Sequence, residues 1–179
     1  IWIRYDQDRP QYMRAAITGP SGTPYESGVF LFDLYFPPSY PLVPPKMLFL
    51  TTAHGTIRFN PNLYADGKVH QSKLTVERVG EREEEMEQER GERAGLLRSL
   101  LLQVLISIQG MILGAPHPIL NEPGLGGIAH VCDNAVRAYD ERVQLATLQH
   151  AILGYIRKVP DGFEEAVQLH FFMKKASIL

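Results

Sequence analysis

The chain predicts an α+β fold, with a small antiparallel sheet first and helices after it. Three observations carry that expectation. The first half holds short apolar segments, rich in β-branched and aromatic residues and separated by turn residues. Short links between those segments favour a meander. The second half switches to a helical period of about 3.6 residues.

Each element follows from its residues. Segment 1–5 is a weak strand, or a lead into the next. Segments 12–18, 29–36 and 46–50 are the firmer strands. Gly19-Pro20-Ser21-Gly22-Thr23-Pro24 supplies turn chemistry between the first firm pair. The link 37–45 is too proline-rich for a central strand, because proline gives no ladder donor. Beyond it, 96–113 reads as a buried helix. Segment 133–158 is a second helix, with Val136, Tyr139, Val143, Ala146 and Ile152 mostly on one face. Pro160 then precedes an Asp161…Glu164 capping box that opens a helix over 161–174. The helices are expected at one end or face of the sheet.

Composition narrows the function. A chain of 179 residues with 45% hydrophobic content is expected to form one domain across 1–179. Its net charge of −2 points to neither nucleic acid nor an anionic membrane. No apolar run reaches the roughly 18 residues a bilayer span needs. The opening Ile1-Trp2-Ile3-Arg4 reads as the inside of a strand, so the chain is expected to be a piece of something longer. One cysteine, Cys132, excludes an internal disulfide and fits a reducing compartment, cytoplasmic or nuclear. The six histidines show no metal-ligand spacing with acids or cysteine, and no cofactor motif stands out. Residues 77–95 differ from everything around them. Eight Glu and four Arg give them a net −4, which leaves the rest at +2. Their large apolar side chains, Val79 and Met86, bury too little to offset ordering entropy, so a solvated loop or charged helix is expected.

Several motifs together carry a resemblance. Gly19-Pro20 is followed by Gly22-Thr23-Pro24-Tyr25-Glu26 and Gly28. Phe36-Pro37, Tyr40-Pro41 and Pro44-Pro45 form a proline turn. Asn60-Pro61-Asn62 comes next. This series resembles the ubiquitin-conjugating enzymes and their UBC domain. Leu101 to Gln109, then Asn121-Glu122-Pro123-Gly124 and the ending His170-Phe171-Phe172, narrow it. Those are similar to the UBC domain at the C-terminal end of very large hybrid conjugating-and-ligating enzymes. The RWD interaction domain has a similar proline turn, but with three residues between Tyr-Pro and Pro-Pro. Here there are two, Leu42 and Val43.

The resemblance implies a mechanism. A cysteine thiolate would take ubiquitin's C-terminal carboxyl as a thioester, and a substrate lysine would then attack it. Asn62 would be the amide donor to the oxygen where charge develops. Glu122 would meet the incoming lysine. Ubiquitin, an activating enzyme and a ligase would be the partners. The family's first helix would precede this chain's first residue and so is expected to be absent. The family reads His-Pro-Asn where this chain has Asn60 first, a departure that touches structure more than chemistry.

The family's cysteine falls eight residues after its asparagine, and this chain has His70 there. The family's Gly-Lys-Val-Cys becomes Gly67-Lys68-Val69-His70, and the charged segment 70–98 stands in place of its active-site stretch. Acyl-imidazoles hydrolyse quickly, so His70 is expected not to store ubiquitin. Cys132 lies far along the chain and reads as a structural or incidental thiol. As written, the chain is therefore expected not to form a thioester. Two origins are open: a natural binding variant, or a misjoined exon or retained intron. The sharp edges of the block, its confined composition and the survival of Asn62 favour the second.

Overall fold

The computed structural model describes residues 1–40, 43–70, 101–122 and 133–178. The charged run 77–95, Cys132, and Pro123-Gly124 lie outside the described residues. So does the first part of the helix expected at 96–113.

Four strands form one antiparallel sheet in sequence order: β1 (Trp2–Tyr5), β2 (Tyr12–Thr18), β3 (Val29–Tyr35) and β4 (Lys46–Phe49). The weakest expectation, 1–5, is a full partner of β2, with Ile3 opposite Ala15. No helix precedes β1 in this chain.

Strand alternation sorts the side chains into two cores. Ala15 and Ile17 of β2 face the same way as Phe30, Phe32 and Leu34 of β3, and all five are buried. They pack on Val104, Leu105, Ile108 and Ile112 of the helix that follows the sheet and on Val143 and Ala146 of the next one. Helix α1 is described from residue 101 and widens into a π turn at Ile108–Ile112. Helix α2 spans Asp133–Ala146. On the opposite face Ala16, Val29 and Leu31 meet Phe163, Val167 and Phe171. Of these, Val167 and Phe171 belong to α4 (Glu164–Ile178), and Phe163 lies just before it. The helices are thus divided between both faces of the sheet rather than gathered on one. Burying one phenylalanine completely contributes about 2–3 kcal/mol. The cluster of Phe30, Phe49 and Phe59, with ring centroids 5.7–6.4 Å apart, is the heart of the larger core.

Two helical expectations change in detail. The segment 133–158 is not one uniform helix. Between α2 and α3 (Gly154–Arg157) the turns at Thr147–Leu153 are π-helical. The extra residue lets neighbouring Ala151 and Ile152 reach different cores, one on each side of the sheet. The capping box is also displaced. A turn closed by the Phe163 N–H on the Pro160 carbonyl (3.1 Å) delays α4 to Glu164, which reaches back to the Gly162 N–H (3.0 Å) instead of to Asp161.

The β2–β3 connection is built around Tyr25. The Gly19 N–H donates to Gly28 O (2.9 Å) and the Gly28 N–H to Tyr25 O (3.0 Å), closing the loop on a side chain with no exposure. A Cβ at Gly19 would fall 1.9 Å from that same Tyr25 oxygen, so the turn requires glycine there.

Candidate functional site

Past β4 the chain turns through Asn60-Pro61-Asn62, and Asn60 is the centre of this turn. Its side chain is completely buried and makes four hydrogen bonds. Nδ2 donates to the Tyr25 hydroxyl (3.0 Å) and to Ile112 O (3.2 Å). Oδ1 accepts from the Asn62 N–H (2.9 Å) and from Asn62 Nδ2 (3.3 Å). The Tyr25 hydroxyl in turn donates to Phe59 O (2.7 Å). One amide therefore ties the β2–β3 loop, α1 and the turn together. Burial pushes the Tyr25 hydroxyl well above the usual phenol range, and its bond to Asn60 opposes that only in part.

From Asn62 the chain folds back on itself. Leu63 bridges Val69 antiparallel, the Tyr64 N–H donates to Lys68 O (2.9 Å), and the Gly67 N–H donates to Tyr64 O (3.0 Å). The Phe49 N–H on Gly67 O (2.8 Å) fastens this small hairpin to β4. The hairpin closes with the His70 N–H on the Asn62 carbonyl, at 2.9 Å. Positions 62 and 70, eight apart in sequence, are hydrogen-bonded neighbours. Val69 is buried and His70 half-buried. The Asn62 side chain is 2% exposed, and its bond to Asn60 uses one of its two N–H donors.

Arg58 packs against the same turn. One guanidinium nitrogen donates to Pro61 O (2.5 Å) and lies 3.3 Å from Glu122 Oε2, while the group stacks 4.7 Å over the Tyr64 ring. Both side chains of this ion pair are more than a third exposed, so the pairing orients more than it stabilises. Tyr139 of α2 donates to Arg58 O (3.0 Å), and its own hydroxyl is raised by burial. The segment that carries Glu122 is held at two more points. Asn121 Nδ2 donates to Met111 O (3.2 Å), and His117 Nδ1 meets Asp140 Oδ2 at 2.7 Å. Asn62, His70 and Glu122 thus stand around one turn, with Glu122 joined to it through Arg58. The roles of Tyr25, Arg58 and Tyr139 were not readable from the sequence. Tyr25 lies inside a quoted motif, but nothing local signals that its hydroxyl reaches a residue thirty-five positions on.

No group of three His, Cys, Asp or Glu side chains among the described residues could hold a metal ion. Nor is any described helix long and apolar enough to cross a membrane.

A four-stranded meander followed by helices, with an Asn-Pro-Asn turn folded against its end, defines the class as a UBC-type α+β domain. The family model described as ubiquitin-conjugating enzyme matches residues 2–147, and the chain belongs to that family. It is 39% identical over 181 aligned positions to a probable ubiquitin-conjugating enzyme protein 17 of Caenorhabditis elegans, covering 100% of this chain and 23% of that protein. It is also 39% identical to the dual E2 ubiquitin-conjugating enzyme/E3 ubiquitin-protein ligase BIRC6 of Homo sapiens, over 100% of this chain and 4% of that one. The chain therefore spans a quarter or less of these relatives' length. A solved E2 domain of a Toxoplasma gondii ubiquitin conjugating enzyme superposes with a TM-score of 0.56 at 27% identity, over 83% of this chain and 86% of that one.

Proposed function

We propose that this domain carries the architecture of ubiquitin transfer but, with His70 at the family's cysteine position, binds ubiquitin or a conjugation partner without forming a thioester. The observation behind this reading is the 2.9 Å bond from the His70 N–H to the Asn62 carbonyl. This backbone bond supports the reading by making residues 62 and 70 neighbours, and the side chain at 70 is an imidazole. An acyl-imidazole is a poor store, because water cleaves it quickly. Asn62 would be the oxyanion donor, and Glu122, held by Arg58, would meet an incoming lysine amine. The partners follow the family: ubiquitin, an activating enzyme and a ligase, in a reducing cytoplasmic or nuclear compartment, with no role for nucleic acid or membrane.

The test is a charging assay with activating enzyme, ATP and ubiquitin, read on non-reducing gels. The chain is expected to give no reductant-sensitive adduct, and an adduct on His70 or Cys132 would overturn the reading. The variant His70→Cys is expected to charge poorly, because the block through residue 98 is replaced as well. Robust charging of that single variant would show that the block is compatible with catalysis. Messenger sequenced across codons 68 to 100 separates the two origins; uninterrupted His70 coding in mature transcript would support a natural binding variant.

A further inference from the structure

Helix α4 is apolar on two sides. Its inner side carries Val167, His170 and Phe171, which are buried. Its outer side carries Leu169, Phe172 and Met173, which are 57%, 79% and 65% exposed. Phe172 is the most exposed large apolar side chain among the described residues. A helix that is apolar all round is ordinarily covered on both sides, and a contiguous exposed apolar patch marks an interaction surface.

Opposite charges bracket this outer side. Glu165, Leu169, Phe172 and Ala176 fall on one helical stripe, and all four are exposed. Glu164 and Glu165 stand at its first end and Lys175 at its last. Neither Glu165 nor Lys175 has an ion-pair partner among the described residues. These charges suit the dipole of the helix, but the dipole asks nothing of the apolar stripe between them.

We propose that the outer side of α4 is covered by the same helix of a second copy of this chain, packed antiparallel about a two-fold axis. Such an axis pairs a surface with itself, so the patch must be self-complementary. This one is. An antiparallel register centred between residues 170 and 171 sets Leu169 opposite the second copy's Phe172, and Phe172 opposite the second copy's Leu169. The same register brings Glu165 within one residue of the second copy's Lys175, and the reverse pair follows by symmetry. A parallel pairing would set like charges side by side. A uniformly basic or acidic occupant would suit one end of the stripe and be repelled at the other. Helix α4 lies on the sheet face opposite the larger core, to which Phe59, Leu63 and Val69 belong, so the seam leaves the turn around Asn60 uncovered.

Sedimentation equilibrium of the full 179-residue chain tests the pairing. The mass should rise from 20.2 kDa toward twice that value with concentration. One helix pair makes a small interface, so a dissociation constant of about 10–100 µM is expected. Phe172→Glu should weaken the dimer about a hundredfold while leaving the urea midpoint of the monomer unchanged, because this side chain stands outside the core. Glu165→Lys and Lys175→Glu should each weaken self-association about tenfold, since each turns two attractions into two repulsions. Mixing those two variants is the sharper readout. In an antiparallel pair the mixture restores both opposite-charge contacts, so the heterodimer should regain the parent affinity. A chain that stays at 20.2 kDa up to about 1 mM, a dimer indifferent to Phe172→Glu, or a mixture no tighter than its components would each overturn the proposal.

Discussion

Removing the Asn60 side chain would leave Ile112 O and the Asn62 N–H buried without partners. Each such loss costs about 1–3 kcal/mol. Asn60→Ala is therefore expected to destabilise the chain by about 3 kcal/mol in urea unfolding. Asn60→His, the family's usual residue, should lose less, since an imidazole can both donate and accept. A loss near zero for the alanine variant would show that the network around Tyr25 does not hold the turn. At this scale the sequence was readable in part. Asn62 and position 70 could be paired by counting, because the short hairpin between them brings a fixed spacing into register. Arg58 could not. It has a job only once Pro61 O, Tyr64 and Glu122 are in place around it, and Glu122 is sixty-four residues away.

Among the elements, the strands were the most legible. Apolar, β-branched and aromatic content marks 12–18 and 29–36 as strands, and the register Ile17↔Phe30 joins one of the two buried faces that they present. The helical widening at Thr147–Leu153 left no local sign, because the same residues would suit an ordinary helix; packing on two sides of the sheet decides it. The β2–β3 loop offers a sharp comparison within one element. Gly22, at φ 77°, has open space where a side chain would go, whereas Gly19 has the Tyr25 carbonyl. Gly22→Ala should cost about 1 kcal/mol, the price of a left-handed alanine. Gly19→Ala must displace the backbone around Tyr25 and should cost about 3 kcal/mol. Urea midpoints for the two variants check the order, and equal losses would mean that the close approach at Gly19 relaxes freely.

Over the whole molecule, one buried and two half-buried tyrosine hydroxyls tie separate elements together. Tyr25 joins the β2–β3 loop to the Asn60 turn through Phe59 O and Asn60. Tyr139 joins α2 to Arg58 O. Tyr155 of α3 meets Thr51 Oγ1 at 2.8 Å, and that oxygen also accepts from the Leu31 N–H. None of these long-range bonds was legible, since each spans tens of residues and uses a side chain that reads simply as core. Burial raises all three hydroxyls, against a weaker opposing pull from Asn60, Arg142 and Thr51 respectively. The consequence is a shared alkaline limit. Below about pH 10 both folded and unfolded tyrosines are protonated, so stability is independent of these groups. Above it the unfolded chain releases protons that the folded chain retains, so stability falls as pH rises toward the folded values. Tyr25, the most deeply buried, contributes a slope of up to about 1.4 kcal/mol per pH unit in that window. Unfolding followed between about pH 8 and 11 should show a flat region and then a steep decline. Tyr25→Phe should start lower, because Asn60 Nδ2 and Phe59 O each lose a partner, and should decline less steeply. A variant that matches the parent slope would mean that Tyr25 ionises in the folded chain as easily as in the unfolded one.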